Sequence, residues 1–150
     1  AATMVVHMGR ASFAFDDTAE EAITTPETEV PQGNGGYAGG TLNCDIHFYM
    51  ASEDSAEAVL DVFVESKTSD TDTLDMTATA SWDSANSGTT TTISASTAGD
   101  PLRLSIELTN DDSIAAGDIV RFGVRRDCDS GSDLAGGDLY ISAIEIWETV

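Results

Sequence analysis

Apolar and polar residues alternate one by one along most of this chain, and this period of two limits its fold more than any other feature. One segment carries the pattern on five apolar positions: Leu42, Cys44, Ile46, Phe48 and Met50. Successive side chains of a β-strand point to opposite faces of its sheet, so the pattern predicts a strand with one buried face. Four other segments share it: residues 60–65, 102–109, 120–125 and 139–147.

The last of these segments changes phase part-way along. Residues 139–141 are apolar on both faces, whereas the apolar positions from Ile144 onward alternate with polar ones. A strand that is buried on both faces, or a β-bulge near Ser142 and Ala143, explains such a change. The pattern therefore predicts a final strand with an irregularity in its middle.

Weaker signals extend the prediction to the rest of the chain. β-branched residues favour strands at residues 3–8 and 89–96. Residues 18–23 predict a short helical turn, with Thr18 as its cap. Turns rich in Gly, Pro, Asp and Ser separate the segments, as in β-proteins.

About eight strands joined in this way predict an all-β fold, an antiparallel jelly-roll β-sandwich. The chain has 150 residues, which suits one domain. We expect residues 11–150 to form the jelly-roll domain and residues 1–10 to be an N-terminal strand or an attachment arm.

The charge of the chain excludes two classes of partner. Twenty-seven Asp and Glu stand against six Lys and Arg, for a net charge of −21. Such a surface repels phosphate, so we expect no binding to nucleic acid or to an anionic membrane. The hydrophobic fraction of 41% is high enough for a core, and no stretch has the length of a membrane helix or the pattern of a signal peptide.

Residues that could carry catalysis are sparse. The two histidines, His7 and His47, are the only candidate bases of the usual kind for a nucleophile, and no Gly-x-Ser-x-Gly motif is present. Paired carboxylates carry no information in a chain with 27 acids. We therefore expect no enzyme and no cofactor. Two cysteines, Cys44 and Cys128, do not make a disulfide framework, and the sequence leaves their pairing open.

One loop offers a weak candidate for a metal site. Asp127, Asp129 and Asp133 place carboxylates at intervals that could serve Ca²⁺. The loop lacks the glycine of a helix-loop-helix calcium site, because Ser132 stands at the sixth position, and the flanking segments are predicted strands. We favour a polar loop whose aspartates bind backbone amides or pair with Arg125 and Arg126.

Four aromatic residues are candidates for a sugar-stacking platform: Trp82, Trp147, Tyr37 and Tyr49. Packing in a core or an interface is the commoner role of such residues. Tyr49 is the most informative of them, because the alternation places it on the face opposite the aliphatic one. An aromatic residue exposed there suggests a contact with another chain.

The C-terminal third carries a resemblance to a known group of proteins. Residues 116–122 (Ala-Gly-Asp-Ile-Val-Arg-Phe), 125–127 (Arg-Arg-Asp) and 137–141 (Gly-Asp-Leu-Tyr-Ile) resemble the jelly-roll proteins of tailed-phage virions, which include capsid decoration or cement proteins and head-fibre domains. The resemblance implies a β-sandwich that forms a homotrimer on the outer capsid surface of a virion and has no enzymatic activity. It supplies no catalytic residues.

Two functional hypotheses follow. The first is a structural bacteriophage protein that binds the outside of the head and stabilises contacts between copies of the major capsid protein. The residues expected at partner contacts are Met4, Val5, Val6, His7, Met8, Arg10 and Tyr49. The alternative is a carbohydrate-binding jelly-roll module of a fibre or secreted enzyme that binds a surface glycan, with or without Ca²⁺.

Overall fold

A computed structural model of the chain describes residues 2–7, 9–52, 56–73, 80–89 and 98–149. Within them the chain forms ten strands and no helix. The strands are β1 (Thr3–His7), β2 (Arg10–Phe15), β3 (Glu21–Thr24), β4 (Thr28–Glu29), β5 (Thr41–Met50), β6 (Val59–Lys67), β7 (Asn86–Thr89), β8 (Leu102–Glu107), β9 (Ile119–Arg126) and β10 (Leu139–Thr149).

The strands form two antiparallel sheets. The front sheet has the order β1-β2-β10-β5-β8, and the back sheet has the order β3-β9-β6-β7, with β4 beside β3 on the same edge of β9. Most strands that follow one another in the chain thus lie in opposite sheets, which is the connectivity of a jelly roll. The expected all-β jelly-roll sandwich is confirmed.

The structure contains three strands that the sequence did not predict. β2 joins the front sheet beside β1, and β3 and β4 divide one edge of the back sheet. Pro26 lies between these two short strands, and a proline cannot donate to the ladder, so it interrupts pairing at that point.

Apolar faces of the two sheets meet in one core. The five alternating positions of β5 are all buried, and Leu60, Val62 and Val64 of β6 face them from the other sheet. Burial alternates in β8 and β9 as the sequence predicts. Each buried aliphatic side chain contributes about 1.5–3 kcal/mol relative to exposure to water, so this shared core is what holds the sheets together.

The irregularity predicted in the last strand is confirmed as a bulge. β10 pairs with β5 along its whole length, and the register shifts between Ile141 and Ala143. Before the shift Leu139 and Ile141 point into the core, and after it Ile144 and Ile146 do. The extra residue, Ser142, is exposed.

The helical turn predicted at residues 18–23 is wrong. This segment contains a bend followed by β3, which pairs with β9. Asp16 accepts hydrogen bonds from the amide and the hydroxyl of Thr18 and so forms an Asx turn. The hydroxyl of Thr18, which a helix cap would use, is therefore engaged with Asp16. Ile23 and the residues after it are β-branched and favour the strand that follows.

Two other predicted strands reach beyond the described residues. The N-terminal strand is present as β1, while Met8, predicted to be its last residue, lies outside the described residues. β7 ends at Thr89, and residues 90–96 of the predicted threonine-rich strand also lie outside them. Within the described residues no helix has the length and apolar character that a membrane crossing requires.

Glycine and aspartate together begin β9. Gly117 has a φ of +94°, in the left-handed region that glycine adopts without strain. The carboxylate of Asp118 accepts hydrogen bonds from Ser66, Thr68 and the amide of Ala115. This buried carboxylate fastens the turn before β9 to the end of β6.

Candidate functional site

The outer face of the front sheet is the surface that combines exposed aromatic rings with polar side chains. Its centre is formed by the outward residues of three adjacent strands, β10, β5 and β8. On β5 these are Asn43, Asp45, His47 and Tyr49, which alternate with the core residues. We call this surface, with its neighbours on β10 and β8, the front platform.

Two tyrosines stand at one end of the front platform. Tyr49 and Tyr140 are paired across β5 and β10, and their rings stack with centroids 5.0 Å apart and planes 17° apart. The hydroxyl groups of Tyr49 and Ser12 lie 2.8 Å apart, which ties the pair to β2. Burial, with the charge of Asp138 and a hydrogen bond to it, raises the pKa of Tyr140.

A buried carboxylate occupies the middle of the front platform. Asp45 accepts hydrogen bonds from the hydroxyl of Ser105 and from Arg103, whose Nη1 lies 3.2 Å from its Oδ2. The pKa of Asp45 lies below its usual value. The hydrogen bond from Ser105 lowers it most, the indole of Trp147 and the charge of Arg103 lower it further, and burial opposes them.

The other end of the front platform carries an indole. Trp147 is opposite Asn43 in the register and is 40% exposed. Asn43 and Tyr49 are six positions apart on β5, so their backbones are about 20 Å apart at the usual rise of a strand. The aromatic side chains therefore stand at both ends of a polar floor that is about 20 Å long.

This arrangement suits the binding of an extended polar chain. Aromatic rings offer apolar faces to the C–H groups of a flat ligand, and the polar groups between them bind its hydroxyls. Because Asp45 is bound by Ser105 and Arg103, this carboxylate is held in place before a ligand arrives, which reduces the entropy lost on binding.

The four aromatic residues singled out from the sequence do not come together. Tyr49 and Trp147 lie on the front platform, whereas Trp82 lies against Arg121 of the back sheet, 4.6 Å from guanidinium carbon to ring centroid. Tyr37 borders a cleft between the sheets and donates to the carbonyl of Gly40. Sequence reasoning missed Tyr140, although its position one residue after the buried Leu139 already placed it on the outer face.

The acidic loop after β9 is tied to a buried arginine. Asp133 binds Arg126 through two hydrogen bonds of 3.0 and 2.8 Å, and it also accepts one from the amide of Val59. Arg126 further donates to the carbonyls of Ala135 and Gly137. Asp133 is thereby engaged as predicted for a polar loop, and no three His, Cys, Asp or Glu of the described residues are arranged to hold a metal ion.

The outer face of the back sheet is occupied by its own ion pairs. Arg125 binds Asp61 and lies over the ring of Phe63, and Arg121 binds Glu65. Asp61 and Glu65 are almost wholly buried. The carboxylates of this face are thus bound to arginines of the same face.

The residues predicted at partner contacts fall into two places. Met4 and Val6 of β1 are 64% and 60% exposed on the side of the sheet that elsewhere faces the core. Val5 and Tyr49 lie on the outer side, where Val5 is opposite Ser12 in the register. His7 is opposite Arg10 at the end of the hairpin, and Met8 is outside the described residues.

The two cysteines are both free thiols. Cys44 is fully buried in the core, where burial, with the charge of Asp45, raises its pKa to about 12. Cys128 lies at the surface loop after β9 and is half-buried.

No protein-family model matches the sequence, and the search of curated proteins found no match. Among solved structures, the chain is similar to the crystal structure of Caldicellulosiruptor saccharolyticus CBM27-1 in complex with mannohexaose. The TM-score is 0.43 at 10% sequence identity, over 96% of this chain and 80% of that one. A likeness of this size carries no argument about function.

Proposed function

We propose that this protein binds a neutral glycan chain on the front platform and does so without turnover. The observation that carries the proposal is the spacing of the stacked Tyr49 and Tyr140 and the exposed Trp147 at opposite ends of a polar floor. An oligosaccharide presents alternating apolar ring faces and hydroxyls along its length, which this pattern of side chains complements.

The charge of the protein selects the class of glycan. The chain carries a net charge of −21, and Glu107 and Glu145 are exposed beside the platform. A polysaccharide rich in carboxylates or sulfates is repelled by such a surface. The ligand class is therefore a neutral glycan with several consecutive sugar rings.

The state of Asp45 supports binding without hydrolysis. A glycosidase needs a carboxylic acid whose pKa is raised so that it can donate a proton near neutral pH. The pKa of Asp45 is instead lowered, chiefly by the hydrogen bond from Ser105, and its oxygens already accept from Ser105 and Arg103. Asp45 thus positions neighbouring side chains and is unsuited to proton transfer.

The proposal is tested by measuring affinity for a panel of neutral and anionic polysaccharides, with electrophoresis in glycan-containing gels and then calorimetry. We expect retardation by at least one neutral glycan and none by anionic ones. Trp147→Ala and Tyr140→Ala weaken that binding by about tenfold or more, while Tyr140→Phe, which keeps the ring, stays near the wild type.

The matched control is Leu134→Ala. Leu134 is an apolar residue that is 71% exposed in the loop after β9, away from the platform, so its loss leaves binding unchanged. Absence of binding across the panel, or equal effects of the Leu134 and Trp147 substitutions, contradicts the proposal.

Capsid decoration is the second candidate function, and one observation favours it. No Asp or Glu occurs in the first fifteen residues of this strongly acidic chain, and Met4 and Val6 are exposed there. An apolar segment free of like charge suits attachment to a larger assembly. Co-sedimentation with phage heads tests it, and binding retained by a folded protein without residues 1–10 rules out attachment through this segment.

A further inference from the structure

Two edges of the front sheet carry unpaired backbone groups within the described residues. β10 runs beside β5 over its full length, but β2 pairs with its other edge only at Leu139–Ile141. β1 is the terminal strand of the sheet. Unpaired N–H and C=O groups on a strand edge are a template for a further strand.

The open edge of β10 lies beside two apolar clefts. One, of about 270 Å³, is bordered by Phe13 of β2 and Ile144 of β10. The other, of about 300 Å³, is bordered by Tyr37, Phe122 and Ile146. Both clefts lie towards the core side of β10, where every second side chain of an added strand would point.

β1 carries side chains that match these clefts. Met4 is opposite Phe13 in the register, so Met4 and Val6 point to the core side of the sheet, yet both are more than half exposed. They are two residues apart, a spacing of about 7 Å that equals the spacing of Ile144 and Ile146 on β10. Most strand edges of natural proteins carry charges or proline that prevent pairing, and β1 has neither Asp, Glu, Lys, Arg nor Pro.

Charge favours the pairing of β1 with β10 over the pairing of β10 with itself. The first fifteen residues contain Arg10 and no acid. The open part of β10 contains Glu145 and Glu148, and Glu29 borders the larger cleft. A two-fold pair of β10 edges would bring like charges together, which destabilises a sheet.

We propose that β1 of one copy pairs with the open edge of β10 of a second copy, with Met4 and Val6 seated at the clefts. The front sheet then continues from one protomer into the next, as in recognition by strand addition. Because different surfaces meet, the contact is head-to-tail and gives a closed ring or a chain of copies. It uses the edge of the front sheet, and Trp147 of the front platform also borders the larger cleft.

Sedimentation velocity over a range of protein concentrations tests the donor strand. We expect the wild type to self-associate and Met4→Glu/Val6→Glu to associate at least about tenfold more weakly, because two carboxylates would enter apolar clefts. Both side chains are mostly exposed, so the double variant folds, and an unchanged unfolding midpoint verifies this. Thr3→Glu, on the other face of β1, is the matched control and associates more strongly than the double variant.

A peptide of residues 2–11 tests the acceptor edge. The double variant keeps its β10 edge, so the fluorescently labelled peptide binds it, and a peptide carrying both glutamates does not. A wild type that stays monomeric, association that survives Met4→Glu/Val6→Glu, or a peptide that fails to bind overturns the proposal.

Discussion

Two thiols in this protein differ in what surrounds them. Cys44 is fully buried in the core with its pKa raised to about 12, whereas Cys128 is half-buried in a surface loop, where burial and the charge of Asp129 also raise its pKa. Thiolate is the reactive form, so Cys44 is protected twice, by lack of access and by its pKa. We predict that a thiol reagent such as dithionitrobenzoate modifies one cysteine per native chain at pH 8 and two in 6 M guanidinium.

We expect the native Cys128→Ser variant not to react with the thiol reagent. Two equally fast reactions in the native protein would contradict the buried position of Cys44.

Asp118 makes stability depend on acid pH. Burial opposes its charge, but hydrogen bonds from Thr68, Ala115 and Ser66 prevail and lower its pKa. A carboxylate with a lowered folded pKa stabilises the fold above its unfolded pKa of about 3.9, and this contribution is lost as the pH falls through the folded pKa. Asp118→Asn therefore destabilises the protein at pH 7 by about 1–3 kcal/mol.

The difference in unfolding free energy between the wild type and Asp118→Asn narrows as the pH falls below about 4. Urea unfolding at several pH values measures it, with Glu107→Gln, which removes an exposed charge, as the control. A difference that stays constant from pH 7 to pH 2.5 would mean that the charge of Asp118 does not act in this way.

At the level of single residues, the sequence predicted what alternation controls. It placed Tyr49 on the outer face of β5 and assigned the acidic loop to contacts with arginine, as Asp133 and Arg126 show. It did not predict the contact of Asp45 with Ser105, because the two residues lie in different strands 60 positions apart. Such contacts depend on strand order, which alternation does not specify.

At the scale of elements, the loop between β9 and β10 is held by one buried cation. Arg126 has no exposed surface and joins Asp133 to two backbone carbonyls of the loop. Removing one partner of a buried ion pair leaves the other charge without compensation and costs about 3–5 kcal/mol. We predict a loss of this size for Arg126→Met in urea unfolding.

Arg103→Met is the control for this substitution. Its side chain is 62% exposed and binds one carboxylate, so its loss costs about 1 kcal/mol or less. Equal destabilisation by the two substitutions would show that burial does not decide the strength of these pairs.

Element boundaries were predictable where side chains alternate without interruption. The bulge of β10 was visible as a change of phase, because an extra residue moves every later side chain to the other face. The segment at residues 18–23 was not, since its acidic residues favour a helix cap locally while pairing with β9 decides its structure. Tertiary contacts override local preference in such short segments.

For the whole molecule, charge is the main force that opposes folding besides entropy. The chain has 21 more acidic than basic side chains, whereas the described residues form six ion pairs between arginine or lysine and carboxylates. Salt weakens both repulsion and attraction between exposed charges. Because unpaired acidic groups outnumber the ion pairs, we expect the loss of repulsion to decide how stability changes with salt. We predict that raising NaCl from about 0.01 to about 0.15 M, where the Debye length falls to about 8 Å, increases the unfolding temperature by a few degrees.

Differential scanning calorimetry at constant pH measures this effect, and sucrose of equal osmolarity is the control for non-ionic stabilisation. A lower unfolding temperature in salt would show that the ion pairs outweigh the excess negative charge.

The central claim is that the front platform binds a neutral glycan, and nuclear magnetic resonance titration tests it most directly. A ¹⁵N-labelled sample is titrated with the neutral oligosaccharide selected by the glycan panel. We predict shifts centred on the amides of β5 and β10 around Asp45 and Tyr140, and on the indole N–H of Trp147. Shifts confined to the back sheet or to the loop after β9, or no shifts with any neutral glycan, would contradict the account.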